Sequence, residues 1–219
     1  MANSLIRPFQ PRMLIALLLS YIPIANFLAD GYKIKCAQTF NTQQLPEWRE
    51  WGKLFVQGLA LRAIQLVYAA PALFILGWFA FFFRPDQLGI AELLPTLLFG
   101  RNIFFAMLVF LVVAAWFAPS AVLSYAFEGR FRAAFSLGVV KRTLSLAYLK
   151  SWGLSGLYLL AIFGLIYFYI YYVSAILIDN LLVTLPYAAG LYLILTVSGI
   201  TYWTMLAKGY YQAYSRTGY

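Results

Sequence analysis

The chain contains no histidine, one cysteine (Cys36) and seven carboxylates among 219 residues. Without imidazole there is no histidine acid/base catalysis, no Cys–His nucleophile, no Cys/His zinc site and no His-ligated haem. A single thiol cannot form an intramolecular disulfide. Charged residues make up 11% of the chain, against roughly 25% in soluble domains. The carboxylates (Asp30, Glu47, Glu50, Asp86, Glu92, Glu128 and Asp179) are expected in loops or elbows, none at the mid-membrane depth that marks ion paths. No nucleotide, metal or flavin motif is present, so the sequence points to no catalytic residue, no metal and no cofactor.

What is abundant is apolar surface. Hydrophobic residues reach 63%, Tyr and Phe number 17 and 19, and the mean hydropathy is +0.79. A soluble fold could not hide so much, so the chain reads as an all-α, polytopic transmembrane helical bundle forming one domain over residues 1–219. About 20 apolar residues cross the hydrocarbon core. Four charge-free stretches qualify: Ala63–Phe83, Ile103–Phe127, Trp152–Ile178 and Leu181–Ala207. A fifth, Met13–Ala29, is short and contains Pro23. It is expected to span, the alternative being a helix broken near Pro23 into a re-entrant hairpin. The start, MANSLIRPFQPR, leads into an apolar run with no small-residue cleavage site, so no signal peptide is expected.

The net charge of +9 fits basic cytoplasmic loops facing anionic lipid rather than nucleic acid. With five spans, eleven loop and tail cations fall on one side and four (Arg7, Arg12, Arg84, Arg101) on the other. The richer side, with the C-terminus, is therefore assigned to the cytoplasm. A re-entrant first segment would sharpen the ratio to thirteen against two.

Between the first two spans, Pro46 precedes Trp48, Trp51, Phe55 and Leu59 at spacings of three and four, with Glu47, Glu50, Lys53 and Gln57 on another face. This predicts an amphipathic helix lying at the membrane surface and turning at Gly58 into the second span. A second elbow echoes it: residues 55–68, FVQGLALRAIQLVY, align with 135–148, FSLGVVKRTLSLAY, sharing Phe55/Phe135, Gly58/Gly138 and Arg62/Arg142. The chain thus carries a candidate internal pseudo-repeat, with halves 13–83 and 103–178 and a final span 181–207. Arg62 and Arg142 are read as anchors at the points where the elbows enter the membrane. Arg130 and Arg132 are candidate lipid-headgroup contacts. A further echo joins Leu28-Ala29-Asp30-Gly31-Tyr32 to Leu206-Ala207-Lys208-Gly209-Tyr210. Each glycine is expected to end a helix, leaving its tyrosine at headgroup depth.

Gly31-Tyr32, Leu45-Pro46-Glu47-Trp48 and Trp51-Gly52-x-Leu54-Phe55-x-x-Gly58 resemble the prokaryotic membrane proteins grouped as domain of unknown function 4013. Pro119, Tyr125, Glu128, the basic elbow from Phe131 to Arg142 and the Gly209-Tyr210 ending extend the resemblance along nearly the whole chain. An arginine-rich strip usual after the first span is reduced here to Lys33 and Lys35. The resemblance implies a polytopic helical protein of a prokaryotic cytoplasmic or internal membrane, and no activity. The expectation is a non-enzymatic accessory, scaffold or assembly subunit whose partners are membrane lipids and other membrane proteins. The alternative is a carrier or handler of lipid or another hydrophobic ligand, with a groove between the repeat halves.

Overall fold

The first apolar segment is broken in the computed structural model, which describes residues 10–20, 22, 24–42, 44–82, 90–174 and 181–216. Side chains at 17, 79–101, 104, 172–174, 181–189, 192 and 216 lie outside that description, as do Arg7, Pro23, Arg84, Asp86, Asp179 and Tyr219 altogether. Two short helices, α1 (Arg12–Ser20) and α2 (Asn26–Gln38), replace a single span over Met13–Ala29. They run back along each other. The Arg12 guanidinium donates to the Leu45 carbonyl just beyond α2 (2.6 Å), and Met13 packs in one cluster with Cys36 and Leu45. Ile22 and Ile24, 55% and 72% exposed, lie at the turn. At 1.5 Å per residue, nine residues extend only about 14 Å. Neither helix alone crosses a bilayer.

Four long helices follow: α3 (Trp51–Phe82), α4 (Ile90–Glu128), α6 (Leu146–Ser174) and α7 (Leu181–Arg216). A 3-10 turn (Phe131–Phe135) and the seven-residue α5 (Leu137–Thr143) link α4 to α6. Gly129, at φ +69°, ends α4 with its N–H on the Tyr125 carbonyl. Ser136 then holds the chain extended before α5. Ser145 starts α6 by accepting the Tyr148 N–H on its hydroxyl (3.3 Å).

The first elbow differs from its expected form. Pro46 does not open a helix, and α3 runs from Trp51 without a turn at Gly58. The reason lies in the carbonyls before it. Tyr32 Oη donates to Pro46 O (2.8 Å) and Lys35 Nζ to Glu47 O (3.1 Å), while Glu50 takes φ +60°. α2 thereby holds residues 45–50 in an irregular strap. Gly58 and Gly138 accordingly occupy different surroundings, one inside a long helix and the other in the first turn of α5.

Gly31 and Gly209 do not end helices either. α2 continues to Gln38 and α7 to Arg216. Gly31 and Gly58 face each other across the α2–α3 crossing, where a Cβ on Gly31 would overlap the Leu54 carbonyl and one on Gly58 the Phe27 carbonyl. Gly209 meets α6 in the same way, at Ser151 and Ala147. Missing side chains let these backbones touch. The tyrosines that follow, Tyr32 and Tyr210, are fully buried within the protein.

Among the described side chains, packing is concentrated at one end. The main core joins Ile34, Leu61, Ile64, Val122, Leu123, Val139, Tyr148, Trp203 and Leu206, and a smaller one lies around Tyr32, Cys36 and Ile200. Both elbow segments belong to this end. Among the described residues, three helices are long and apolar enough to cross a membrane: Trp51–Trp78, Phe105–Glu128 and Leu146–Tyr171. Helix α3 with 32 residues, α4 with 39 and α7 with 36 extend about 48, 58 and 54 Å, well beyond a 30 Å hydrocarbon core.

Candidate functional site

Two ion-pair centres lie in the packed end, one for each arginine of the repeated motif. Asp30 belongs to the interior of α2, not to a loop, and is 3% exposed. Its carboxylate receives Lys33 Nζ on Oδ1 (2.8 Å) and both Nε and Nη2 of Arg62 on Oδ2 (2.6 Å each). One turn of α2 places Lys33 beside Asp30, and the glycine crossing brings α3 close enough for Arg62 to reach it. Half of the Arg62 side chain remains exposed (50%). A carboxylate buried to this degree requires such partners.

The second centre is more enclosed. Arg142 of α5 donates through Nη1 to Glu128 Oε1 (2.6 Å), Tyr210 Oη (2.9 Å) and Ser124 Oγ (3.3 Å). Its guanidinium carbon stands 4.4 Å from the centre of the Tyr214 ring. Burial opposes the charge, but the hydrogen bonds to Glu128 and Tyr210 more than offset it, and the guanidinium holds its proton more tightly than usual. Ser124 joins α4 to the elbow by donating to Ala133 O (3.0 Å). One arginine thus ties α4, α5 and α7 together.

The remaining motif residues pack around these centres. Trp48 stacks on Tyr32 (4.0 Å, 8°), donates its indole N–H to Arg12 O (2.8 Å) and meets Trp51 at 5.6 Å. The two tryptophans therefore do not share one helix face. Phe55 stands edge-on to Phe27 (5.6 Å). Phe135 stacks on Tyr68 (5.9 Å, 11°), whose hydroxyl donates to Ala134 O (3.0 Å), joining the two elbow regions. Gly138 makes no close approach to another helix. Arg130 and Arg132 are exposed, with no side-chain partner among the described residues.

A cleft of about 520 Å³ separates the start of α3 from the end of α4 and is closed at one side by Gln38 of α2. Sequence reasoning missed Gln38 and Asp30 because their partners are 88 and 32 residues away. The motif had already marked Arg62, whose need for a counter-charge was the signal pointing to Asp30. An apolar groove of about 380 Å³ lies between α3 and α4, lined by Phe74, Ile75, Trp78, Ile103 and Ala106. Among the described residues no cluster of three metal-ligating side chains forms.

The described residues are all-helical, and three of the helices are apolar and long enough to cross a membrane, which is the character of a membrane protein. The protein is a member of the family described as protein of unknown function (DUF4013), whose model matches residues 14–178. No curated protein and no solved structure matches the chain.

Proposed function

We propose that this protein is a non-enzymatic subunit that scaffolds or assists a larger assembly in the cytoplasmic or an internal membrane of a prokaryotic cell. The observation that carries this is how little of its crossing helices the chain covers itself. Only 17% of the α3 window and 11% of the α6 window are buried, against 39% for α4. Phe74 and Trp78 on α3, and Phe163, Tyr167, Phe168 and Tyr171 on α6, stand 56–73% exposed. Lipid can cover such faces, but large aromatics are also the residues that anchor protein contacts. A photo-crosslinking residue placed at Phe163 tests this in membranes. Crosslinks to a discrete second protein, copurifying in mild detergent, are expected. Crosslinks to lipid and to this chain alone would refute it.

For topology we infer four crossings, α3, α4, α6 and α7, with α1–α2 as a re-entrant hairpin. Arg12 then joins Lys35 and Arg49 on the basic, cytoplasmic side together with the C-terminus, where anionic headgroups are its lipid partners. The internal repeat is supported by one likeness: Arg62 and Arg142 each reach a carboxylate on the helix before the elbow. The groove at Phe74 and Trp78 favours hydrophobic-ligand handling as a second reading, since its walls come from α3 in the first candidate half and from Ile103 and Ala106 of α4 in the second.

A further inference from the structure

We propose that the cleft between the start of α3 and the end of α4 binds a zwitterion, a ligand carrying an ammonium group a few ångströms from a phosphate or carboxylate. Its two walls are electrostatic opposites. One is the first two turns of α3, where the exposed Lys53 stands at the rim, 3.4 Å from Glu50, and the helix N-terminus adds partial positive charge. The other is the last turn of α4, whose carbonyl end is partially negative and carries Glu128. Glu128 gives Oε1 to Arg142, and Oε2 has no bond among the described residues. Tyr125 and Phe127 line the cleft beside it.

The floor singles this cleft out as built for a ligand. Gln57 is only 8% exposed and lines it, yet its carboxamide makes no hydrogen bond among the described residues. Its amide atoms face the cleft rather than a protein partner, so they are free to meet a ligand. It can donate to an anion and accept from an ammonium group at once. Gln38 is held at the opposite side by donating to Ala126 O. Gly52 and Gly129 line the cleft with no side chain to fill it. The volume of about 520 Å³ lies within the range of small-molecule sites, roughly 300–1,000 Å³. The proposal is independent of the scaffold reading.

An ethanolamine phospholipid headgroup and a free zwitterion share this chemistry, and two arms of one experiment separate them. In the first, purified protein is titrated with phosphoethanolamine, with ethanolamine and glycerol 3-phosphate as half-ligands, and binding is read by calorimetry. In the second, native mass spectrometry counts lipid retained from nanodiscs of phosphatidylethanolamine or of phosphatidylglycerol. Preference for the zwitterion in either arm is expected, and the arm that shows it names the source. Gln57→Leu should weaken that binding about tenfold, as for loss of one hydrogen bond to a charged group. Lys53→Gln on the exposed rim should weaken it several-fold, and it serves as the test if Gln57→Leu fails to fold. No binding in either arm, equal binding of the half-ligands, or a folded Gln57→Leu or Lys53→Gln protein that binds like the parent would overturn the proposal.

Discussion

The two ends of this molecule are held by different physics. At the packed end, buried polar groups, two ion-pair centres and glycine-mediated crossings fix each helix against its neighbours. At the other end, residues such as Leu108, Val112, Leu160 and Phe163 are 43–68% exposed, so the described parts of α3, α4 and α6 present broad apolar surface. Directional contacts specify one arrangement where water is near. Apolar surface alone only specifies that a helix belongs in lipid. Mutational sensitivity should follow that division.

The largest loss is expected at Arg142. Replacing it with Ala leaves Glu128 without its cation in a largely buried site, a class of change that costs about 3–5 kcal/mol. Folded yield in detergent and the thermal midpoint should fall sharply. The double variant Arg142→Met, Glu128→Gln should recover much of the loss, since it removes both charges together. A single variant as stable as the parent would show that the enclosed pair is idle.

Next comes the α2–α3 crossing. Gly58→Val puts branched carbon where the Phe27 carbonyl lies, and forced overpacking of this kind costs about 1–3 kcal/mol. Gly138→Val, by contrast, should be mild, because Gly138 meets only side chains at 3.5 Å or more. Equal effects at the two glycines, read as thermal midpoints, would contradict the difference between the elbows.

A smaller change is expected for Arg62→Gln. Its half-exposed side chain leaves Lys33 still paired with the buried Asp30, so the loss should be smaller than for the enclosed Arg142–Glu128 pair. At the apolar end, Phe163→Leu should shift the thermal midpoint least of all, within about 0.5 kcal/mol, as for surface positions. A loss there as large as at Gly58 would mean that the chain itself, and not lipid or a partner, covers α6.

Much of this organisation was legible in the sequence. Charge-free runs located the long helices, because a hydrocarbon core sets their minimum length. The Phe-x-x-Gly-x-x-x-Arg spacing selected the two arginines that hold the packed end. What could not be read was the use made of glycine. A glycine that ends a helix and one that lets two helices touch both need the missing Cβ. Local sequence therefore reads Gly31 and Gly209 as helix ends and stops α2 short of Lys33 and Cys36, whereas α2 continues to Gln38 and α7 to Arg216. The same reading displaces Asp30 into a loop, whereas it lies inside α2. The strap at residues 45–50 was illegible for another reason. Its Trp spacing fits a helix, but side chains of α2 hold its carbonyls, and those long-range bonds leave no local pattern. Likewise, the break between α1 and α2 was open to two interpretations, since Pro23 in a short apolar run suits a tilted span and a hairpin alike.

That first segment decides whether the packed end lies on one side of the membrane. Cys36 is fully buried, so the native thiol is a poor topology reporter, and single cysteines are better placed at exposed Pro11 and Asn41 in a Cys36→Ala background. Intact cells are treated with a membrane-impermeant thiol reagent, then compared with permeabilised cells. If α1 and α2 return to the packed cytoplasmic end, both positions should stay unlabelled until the membrane is opened, then label together. Labelling of Pro11→Cys in intact cells, with Asn41→Cys still protected, would place the two positions on opposite faces and contradict the account.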